Sequence, residues 1–359
     1  MRAAVLPEIP SALEIQDVTI DAPGPREVLI DTAAAGVCHS DLHFMEGKYP
    51  YPTPAVLGHE SAGVVAAVGR DVTYVEPGDH VITCLAVFCG SCAYCTSGRP
   101  QLCDKTETRR PADGPQRLSR DGQPVFQFLD MSSFAEQMLV HEHGVVKINP
   151  EMPLDRAALI GCGVTTGLGA VFNTAKVRAG ETVVVLGAGG IGLNCIQGAA
   201  IAGAGRIIAV DMVASKLDLA RSFGATDTVD ASPGDAVAQV IELTGGGVDH
   251  AFEAIGLKVA AEQCFAMLAK GGTATIIGMI PIGQSVELPG FAFLSEKRIQ
   301  GSNMGSTRFR IDMPRYVDMY LRGRLKLDEL VSARRPLDEI NAAFDAMKAG
   351  EVARSVITF

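Results

Sequence analysis

Four cysteines with short, regular spacing are the residues most suited to chemistry in this chain. Thiolates at such spacing converge on one tetrahedral Zn²⁺, and four of them leave no coordination position for a substrate. Free cysteines clustered by chance and a pair of disulfides are the alternatives, but two-residue spacing gives poor bridging geometry. The pattern predicts a closed, structural zinc site in the frame C-x2-C-x2-C-x7-C, with the ligands Cys89, Cys92, Cys95 and Cys103.

A glycine-rich segment between two apolar runs predicts a nucleotide site. Glycines there permit a tight turn and close approach of a pyrophosphate to a helix N-terminus. Asp211 closes the second apolar run, where a carboxylate accepts hydrogen bonds from ribose hydroxyls and repels a 2′-phosphate. The segment therefore favours NAD over NADP, and Lys216 is either a further ribose contact or a solvated helix lysine. The G-x-G-x-x-G residues are Gly187, Gly189, Gly190, Ile191 and Gly192.

Three distant segments carry further potential metal ligands, namely Cys38, His59 and Cys162. One Cys, one His and one Cys leave a fourth position open for water or substrate, as in catalytic zinc sites. Spacing alone does not unite residues so far apart. Read singly, each residue is more often a buried cysteine or a hydrogen-bonded histidine than a metal ligand.

Two kinds of sequence divide the chain and must position these residues. The first half reads as short strands broken by Gly and Pro, for example over 27–37, 61–69 and 79–83. From about residue 160, apolar strands alternate with helices, which indicates a parallel sheet buried on both faces. Its strands are predicted at about 182–186, 206–210, 249–253 and 273–277, and the chain closes with a further strand in EVARSVITF.

Composition narrows the class of protein. A length of 359 residues predicts about two domains, and a net charge of −10 disfavours a nucleic-acid partner. No apolar run of membrane-span length and no signal segment is predicted, so we expect no membrane partner. The nine cysteines fit a reducing compartment, which predicts a cytoplasmic protein.

The chain resembles the zinc-dependent medium-chain alcohol dehydrogenases. The shared motifs occur in the family's order: G-V-C-H-S-D, G-H-E, the four-cysteine lobe, G-C-G-x-x-T-G, G-x-G-G-x-G and the trailing Asp. The resemblance covers essentially the whole chain and implies α/β plus β architecture, with a GroES-like, β-rich catalytic domain interrupted by a Rossmann doubly wound parallel sheet. The implied domains are 1–163 with 304–359 (zinc lobe 84–110) and 164–303, with the active site in the cleft between them.

The same resemblance implies roles for individual residues and two Zn²⁺ per chain. Cys38, His59 and Cys162 become the catalytic zinc ligands, and Asp41 orients His59. The other implied roles are Glu60 beside the metal, Ser40 as the hydroxyl that receives the substrate proton, His43 as the group that passes it to solvent, and His39 and Arg354 at the pyrophosphate. A surface loop histidine is the alternative for His43.

Departures from family sub-groups bear on the substrate. Polyol dehydrogenases typically have Glu where this chain has Cys162, and Tyr49 and Glu107 replace charges that grip a glutathione adduct. We therefore expect an NAD-dependent dehydrogenase of a hydrophobic primary alcohol, aromatic or medium-chain. The resemblance places four apolar residues near the substrate channel, namely Leu85, Phe128, Leu129 and Met279. Each of them could equally well be an ordinary core residue.

Three alternatives stay open. One is a nicotinoprotein that holds NAD permanently, and another is an S-(hydroxymethyl)glutathione dehydrogenase. A non-enzymatic zinc- and NAD-binding protein is disfavoured, because a binding module has no need of a proton relay. The length of 103–141 resembles dimeric members, so we expect a homodimer built through an edge strand at about 285–303.

Overall fold

The computed structural model describes residues 1–104, 107–111, 114–232, 234–350 and 353–359. Positions 105 and 106 of the predicted zinc lobe lie outside the described residues. The chain forms two compact units. One comprises Met1–Gly163 with Arg308–Phe359, and the other is Val164–Thr307.

Twenty strands are assigned among the described residues, fourteen in the first unit and six in the second. In chain order they are β1 Arg2–Leu6, β2 Glu14–Asp17, β3 Thr19–Ile20, β4 Glu27–Gly36, β5 Ala55–Val56, β6 Ser61–Val68, β7 His80–Thr83, β8 Leu118–Arg120, β9 Gln123–Pro124, β10 Phe126–Gln127, β11 Gln137–His141, β12 Val145–Lys147, β13 Thr182–Leu186, β14 Arg206–Asp211, β15 Asp227–Asp230, β16 Val248–Glu253, β17 Leu268–Ile276, β18 Arg298–Gly301, β19 Val331–Pro336 and β20 Arg354–Thr358.

The α-helices connect these strands or cover the sheets. In chain order they are α1 His39–Met45, α2 Ala93–Thr96, α3 Leu154–Leu159, α4 Thr165–Gly169, α5 Gly190–Ala202, α6 Ala214–Ser222, α7 Ala236–Thr244, α8 Lys258–Ala266, α9 Phe309–Leu321 and α10 Ile340–Lys348. Two π-helical segments, Ile160–Val164 and Ala170–Ala175, flank α4.

The first unit is built on β-sheet. Its main sheet has the order β12-β7-β6-β4-β20-β19, with β11 also paired to β4, and a second sheet has the order β10-β5-β1-β2. Alternating burial along β4 places Val28 and Ile30 in one apolar core. Because β4 is long and central, its end is a fixed point from which α1 starts.

The second unit is a parallel sheet with the order β15-β14-β13-β16-β17-β18. The continuous burial of Val183–Leu186 in β13 is typical of strands covered on both faces. Local signals begin and end the crossover helices. Asp235 caps α7 by accepting hydrogen bonds from the backbone N–H groups of Val237 and Ala238, and Gly203 ends α5 at φ +81°.

The predicted fold class, with a GroES-like catalytic domain and a Rossmann sheet, is confirmed. The four predicted parallel strands match β13, β14 and β16 to within one residue, whereas β17 begins at Leu268, earlier than the predicted start at about 273. The helical stretch Leu154–Ala175 is apolar and long enough to span a bilayer, which the sequence analysis did not anticipate. Because 83% of its apolar window is buried inside the protein, its composition is that of a core helix.

Candidate active site

The four-cysteine lobe brings its sulfur atoms together. The Sγ atoms of Cys89, Cys92, Cys95 and Cys103 all lie within 4.8 Å of one another. Measured pairs are 3.4 Å (Cys92–Cys95) and 3.9 Å (Cys89–Cys95), whereas a disulfide requires about 2.05 Å. Four sulfurs held about 2.3 Å from a tetrahedral zinc are separated by about 3.8 Å, so the lobe fits this metal.

Hydrogen bonds from Ser91 and Cys92 favour the thiolate form of Cys89, whereas burial raises the pKa of Cys95 to about 12. The Cys89 sulfur accepts hydrogen bonds from the Ser91 hydroxyl and from the backbone N–H groups of Ser91 and Cys92. The Ser91 hydrogen bonds lower the pKa of Cys89 to about 6. A short helix, α2, begins at Cys92 and carries Cys95 back toward the other sulfurs.

A second group of potential ligands lies inside the first unit. Cys38 stands between β4 and α1, His59 lies just before β6, and Cys162 lies in the π-helical segment that follows α3. Their ligand atoms are within 4.8 Å of one another and all three residues are buried. Three ligands leave a fourth position of a tetrahedral ion open, which is the arrangement of a catalytic rather than a structural zinc.

Asp41 fixes the orientation of His59. Its Oδ1 atom lies 3.1 Å from His59 Nδ1 and also accepts a hydrogen bond from the Gly58 backbone N–H at 3.1 Å. Gly58 has φ +91°, and a Cβ there would meet Ser133 Oγ at 2.6 Å, so glycine is required at this turn. Because Nδ1 faces Asp41, Nε2 is the nitrogen available to a metal.

The hydrogen bond between the buried thiols of Cys38 and Cys162 shifts their pKa values in opposite directions. A hydrogen bond from Cys162 lowers the pKa of Cys38 well below its usual value, and the same contact raises the pKa of Cys162. Burial alone would lower the pKa of His59, but the Asp41 carboxylate outweighs it and raises that pKa. A divalent cation that displaces these protons relieves the crowding of buried donors, so the residues present fit Zn²⁺.

Glu60 and Arg354 are buried charged residues near the potential metal ligands. Arg354 Nη1 is 3.5 Å from Glu60 Oε2 and donates a hydrogen bond to the Val37 carbonyl at 3.2 Å. Burial raises the pKa of Glu60 to about 7, although the charge of Arg354 opposes this. Both Glu60 oxygens lack a hydrogen-bond partner among the described residues. The predicted pyrophosphate residue Arg354 is thus held beside the metal ligands.

Helix α1 presents Ser40 and His43 one turn apart, on one face. The Cys38 thiol lies 3.7 Å from Ser40 Oγ. His43 is half-buried, burial lowers its pKa, and its Nδ1 atom is buried with no hydrogen-bond partner among the described residues. His39, the first residue of the helix, is exposed.

The Phe128 ring packs against His59, one of the three potential metal ligands, and belongs to a group of aromatic rings. The Phe128 ring centroid is 5.9 Å from that of His59, 4.8 Å from Phe44 and 5.1 Å from Tyr51. Tyr49 extends this group, with its ring 5.6 Å from Phe44. We call Phe44, Tyr49, Tyr51 and Phe128 the aromatic cluster. Phe44 and Tyr51 were not predicted from the sequence, although the density of aromatic residues over 44–51 was a signal.

The other predicted channel residues differ in their settings. Leu129, at φ +49°, is partly buried against the core that contains Phe128. Leu85 is partly buried in a neighbouring core of the same unit. Met279 belongs to the second unit and is 36% exposed.

The glycine-rich turn in the second unit leaves room for a ligand. Gly187 has φ +93°, and a Cβ at Gly192 would collide with the Gly187 carbonyl, so both positions require glycine. A Cβ at Gly189 would meet nothing within 4 Å. Gly189 is also the N-cap of α5 and provides no side-chain cap. The first amides of this long helix therefore face open space, as a pyrophosphate site requires.

Asp211 ends β14 beside this turn. Its Oδ2 atom accepts a hydrogen bond from the Ala188 backbone N–H at 2.8 Å, and its Oδ1 atom accepts one from Val213 at 3.0 Å. A carboxylate has about four acceptor positions, so two remain for ribose hydroxyls. Lys216 lies in the first turn of α6 and is partly exposed. These groups fit a dinucleotide.

Comparison with known proteins identifies the family. The profile described as "Alcohol dehydrogenase GroES-like domain" matches residues 24–150, and that described as "Zinc-binding dehydrogenase" matches residues 190–322. The chain belongs to the zinc-binding alcohol dehydrogenase family. The predicted family, its oxidoreductase chemistry and its zinc- and nucleotide-binding architecture are thereby confirmed.

Relatives match over the whole chain. An alcohol dehydrogenase class-3 of Oryza sativa subsp. japonica is 39% identical, covering 99% of this chain and 96% of the rice protein. An S-(hydroxymethyl)glutathione dehydrogenase of Synechocystis sp. is 40% identical, covering 100% and 99%. The crystal structure of benzyl alcohol dehydrogenase from Acinetobacter calcoaceticus superposes with a TM-score of 0.95 at 34% identity, covering 100% and 99%.

Proposed function

We propose that this protein is an NAD-dependent zinc alcohol dehydrogenase that interconverts a hydrophobic primary alcohol, aromatic or medium-chain, and its aldehyde. The observation that carries the proposal is the aromatic cluster packed on His59, within the unit that holds the Cys38–His59–Cys162 group. Zinc would supply a Lewis acid that lowers the pKa of the alcohol, and NAD would accept the hydride. Side chains of the protein would hold the metal, orient its ligands and transfer the proton.

The metal ligands and their neighbours have distinct tasks in this proposal. Cys38, His59 and Cys162 hold the catalytic zinc, and Asp41 keeps the His59 ring in the orientation that binds it. Glu60, lying close to the ligands, is proposed to adjust the charge around the metal. The lobe cysteines Cys89, Cys92, Cys95 and Cys103 hold the structural zinc.

Ser40 and His43 are the proposed proton path. Ser40 Oγ lies next to the ligand Cys38 and accepts the alcohol proton, which His43, on the same helix face, passes to solvent. The lowered pKa of His43 supports this role, because a neutral imidazole can accept a proton at pH 7. His39 and Arg354 remain proposed pyrophosphate contacts, as do the glycines at 187, 189, 190 and 192 with Ile191.

Two arginines near the substrate region are already paired, which favours an uncharged substrate. Arg109 Nε donates to both Asp130 carboxylate oxygens, at 3.1 and 3.0 Å. Arg110 binds Glu27 and Asp21. Within 107–111, both guanidinium groups thus have carboxylate partners inside the protein, and Glu107 is exposed and acidic, which disfavours the carboxylates of a glutathione adduct.

A second candidate function is S-(hydroxymethyl)glutathione dehydrogenase. It is favoured by the activity named for the Synechocystis relative, which matches over the whole chain. A nicotinoprotein is the third possibility carried from the sequence, and it differs in retaining NAD during gel filtration.

A substrate panel distinguishes these functions. We expect kcat/KM for benzyl alcohol and 1-octanol to exceed that for ethanol and for S-(hydroxymethyl)glutathione by about tenfold or more, measured at the NADH absorbance. Tyr49→Leu should lower kcat/KM for benzyl alcohol about threefold to tenfold, because a ring contact is lost. Tyr94→Leu, in the zinc lobe, is the matched control. Preference for the glutathione adduct would contradict the proposal.

Asp211 is proposed to set the preference for NAD. Asp211→Gly should lower the ratio of kcat/KM for NAD to kcat/KM for NADP. The substitution removes the carboxylate that accepts hydrogen bonds from the ribose of NAD and that repels the 2′-phosphate of NADP. Asp218→Gly, at an exposed carboxylate on α6, is the control. A native enzyme that already prefers NADP would show this assignment to be wrong.

A further inference from the structure

Glu253 is a buried carboxylate that no part of the proposed chemistry uses. It ends β16 and has no exposed surface. Burying a carboxylate is costly unless hydrogen bonds compensate for lost water. The buried Glu253 carboxylate therefore needs hydrogen-bond donors from the protein.

Backbone amides from two loops converge on this carboxylate. Oε1 accepts hydrogen bonds from the N–H groups of Ile255 at 2.9 Å and Gly256 at 2.7 Å, and more weakly from Leu257 at 3.4 Å. Oε2 accepts one from Gly278 at 3.1 Å. One side chain thus ties together the loop that follows β16 and the loop that follows β17, here called the Glu253 loops (254–257 and 277–279).

The Glu253 loops touch each other and the glycine-rich turn without room for side chains. A Cβ at Gly256 would lie 2.8 Å from the Met279 carbonyl, and one at Gly278 would collide with Gly256. A Cβ at Gly187 would lie 2.6 Å from Ile255 Cγ1. Because the two loops pack so closely, neither can shift without the other.

The sheet order places this group at a defined position. Strands β13, β14 and β15 run outward to one side, and β16, β17 and β18 continue on the other, so the order reverses between β13 and β16. Ligands of such sheets bind at the carboxyl ends of the strands, at this reversal. Asp211, at the end of β14, is the proposed contact for the adenosine ribose of the dinucleotide. The nicotinamide half of the dinucleotide would then lie at the carboxyl ends of β16 and β17.

We propose that Glu253 is a positioning residue for the nicotinamide half of the dinucleotide, acting through the Glu253 loops. This inference rests on the proposed dinucleotide function. The carboxylate holds both loops in place before the cofactor arrives, so binding does not have to order them. Ile255 and Met279, 48% and 36% exposed, are among the apolar side chains that the loops present there.

The variant Glu253→Gln tests the proposal because it keeps size but replaces one acceptor oxygen with an NH₂ donor. That donor must face a backbone N–H, which releases one loop. We expect the Kd for NADH, from fluorescence titration of the zinc-loaded protein, to rise about tenfold to a hundredfold. The Kd for ADP-ribose, which lacks nicotinamide, should change by less than about threefold. In the cofactor-free variant, the amides of 255, 256 and 278 should exchange hydrogen faster.

Asp249→Asn is the matched control, because Asp249 accepts the Thr182 backbone N–H at 2.8 Å near the other end of the same strand. It should leave both Kd values unchanged. Should Glu253→Gln not fold, Gly256→Ala separates the loops without altering the carboxylate and should give the same selective loss. Unchanged NADH affinity, or equal loss for both ligands, would overturn the proposal. A wild-type protein that binds neither NADH nor ADP-ribose would instead contradict the proposed function itself.

Discussion

His43 and Ser40 lie one turn apart on α1. Substituting each of them distinguishes two hypotheses for His43, a role in a proton relay and a surface histidine with no part in the reaction. His43→Gln should lower the alcohol-oxidation rate by up to about 10²–10⁴-fold, near the lower limit because water can substitute. Zinc content and NAD affinity should remain near wild type. External imidazole should restore part of the rate. The test is oxidation kinetics across pH and imidazole concentration.

The wild-type pH profile follows from the direction of the His43 pKa. Burial lowers that pKa below the usual value near 6.5, so the neutral, proton-accepting form persists to lower pH. The rate should fall as pH falls through this lowered pKa. Ser40→Ala should cost more than His43→Gln and should not respond to imidazole, because no buffer reaches the alcohol itself. A wild-type rate for His43→Gln would end the relay proposal.

At the scale of elements, the two ligand groups should differ in how readily they release metal. The four-thiolate lobe is closed, whereas the Cys38–His59–Cys162 group leaves one position open to a competing ligand. We expect two zinc ions per chain, of which the one in the open group is removed first by a chelator, together with activity. Metal analysis during dialysis against dipicolinate measures this. One zinc or none in the native protein would contradict it.

A buried ion cluster attaches the segment after the lobe to β4. Glu27 Oε1 is 2.7 Å from Arg117 Nε, and Glu27 Oε2 is 2.6 Å from Arg110 Nη2. Arg117 also binds the Thr108 carbonyl and the Gln127 side chain, next to Phe128. The cluster therefore links this segment to the strand and to the aromatic cluster.

The Glu27 cluster predicts an acid-sensitive contribution to stability. Burial raises the pKa of Glu27, but the arginine hydrogen bonds and charges outweigh it and lower the pKa to about 2. A lowered folded-state pKa means that stabilisation is full above pH 4.5 and is lost as pH falls toward 2. Glu27→Gln should lower the free energy of unfolding at pH 7 by about 3 kcal/mol.

Urea unfolding of the variant at pH 7 and at pH 4 measures this contribution. The cost of Glu27→Gln should be smaller at the lower pH, because part of the wild-type stabilisation has gone. Asp31→Asn removes a charge from an exposed position on the same strand and is the control. Equal cost of Glu27→Gln at both pH values would contradict the assignment.

Local sequence predicted some elements and not others for identifiable reasons. Continuous apolar runs predicted β13 and β14, because strands buried on both faces leave a local signal. The strand Asp227–Asp230 was missed because four residues with acidic ends carry no such run. The π-helical segment that carries Cys162 depends on packing and has no local pattern.

The candidate site shows the same contrast. Cys89 and Cys92 share a turn, so spacing alone predicted their metal, whereas Cys38, His59 and Cys162 could be joined only through the family resemblance. Glu253 gave no signal, because its partners are backbone amides of two separate loops. Positive φ values at Leu129, Asp130 and Ser132 depend on hydrogen bonds such as Phe128 N–H to Ser132 Oγ.

At the scale of the whole molecule, we expect a homodimer formed through the edge of the parallel sheet. Strand β18 pairs only with β17 among the described residues, and the preceding segment exposes Phe291 (84%) and Leu294 (78%). An unpaired edge beside exposed apolar side chains is a natural pairing surface. Light scattering should give twice the chain mass, and a tetramer would contradict this. Phe291→Asp should shift the mass toward the monomer, whereas Phe126→Asp, on the first unit, should not.

The cytoplasmic location also remains a prediction.

The position of β20 has a consequence for how the protein is made. Gly36 of β4 pairs with Val356 of β20, 320 positions later in the chain. At a synthesis rate of about 5–20 residues per second, the end of β4 that pairs with β20, at Ala34–Gly36, waits roughly 16 to 64 s for its partner. The contiguous stretch Val164–Thr307 can fold during that interval, while the end of β4, next to the potential metal ligand Cys38, stays open to wrong partners. Translation speed and chaperone access during this minute should therefore govern the yield of active enzyme more than the final stability does.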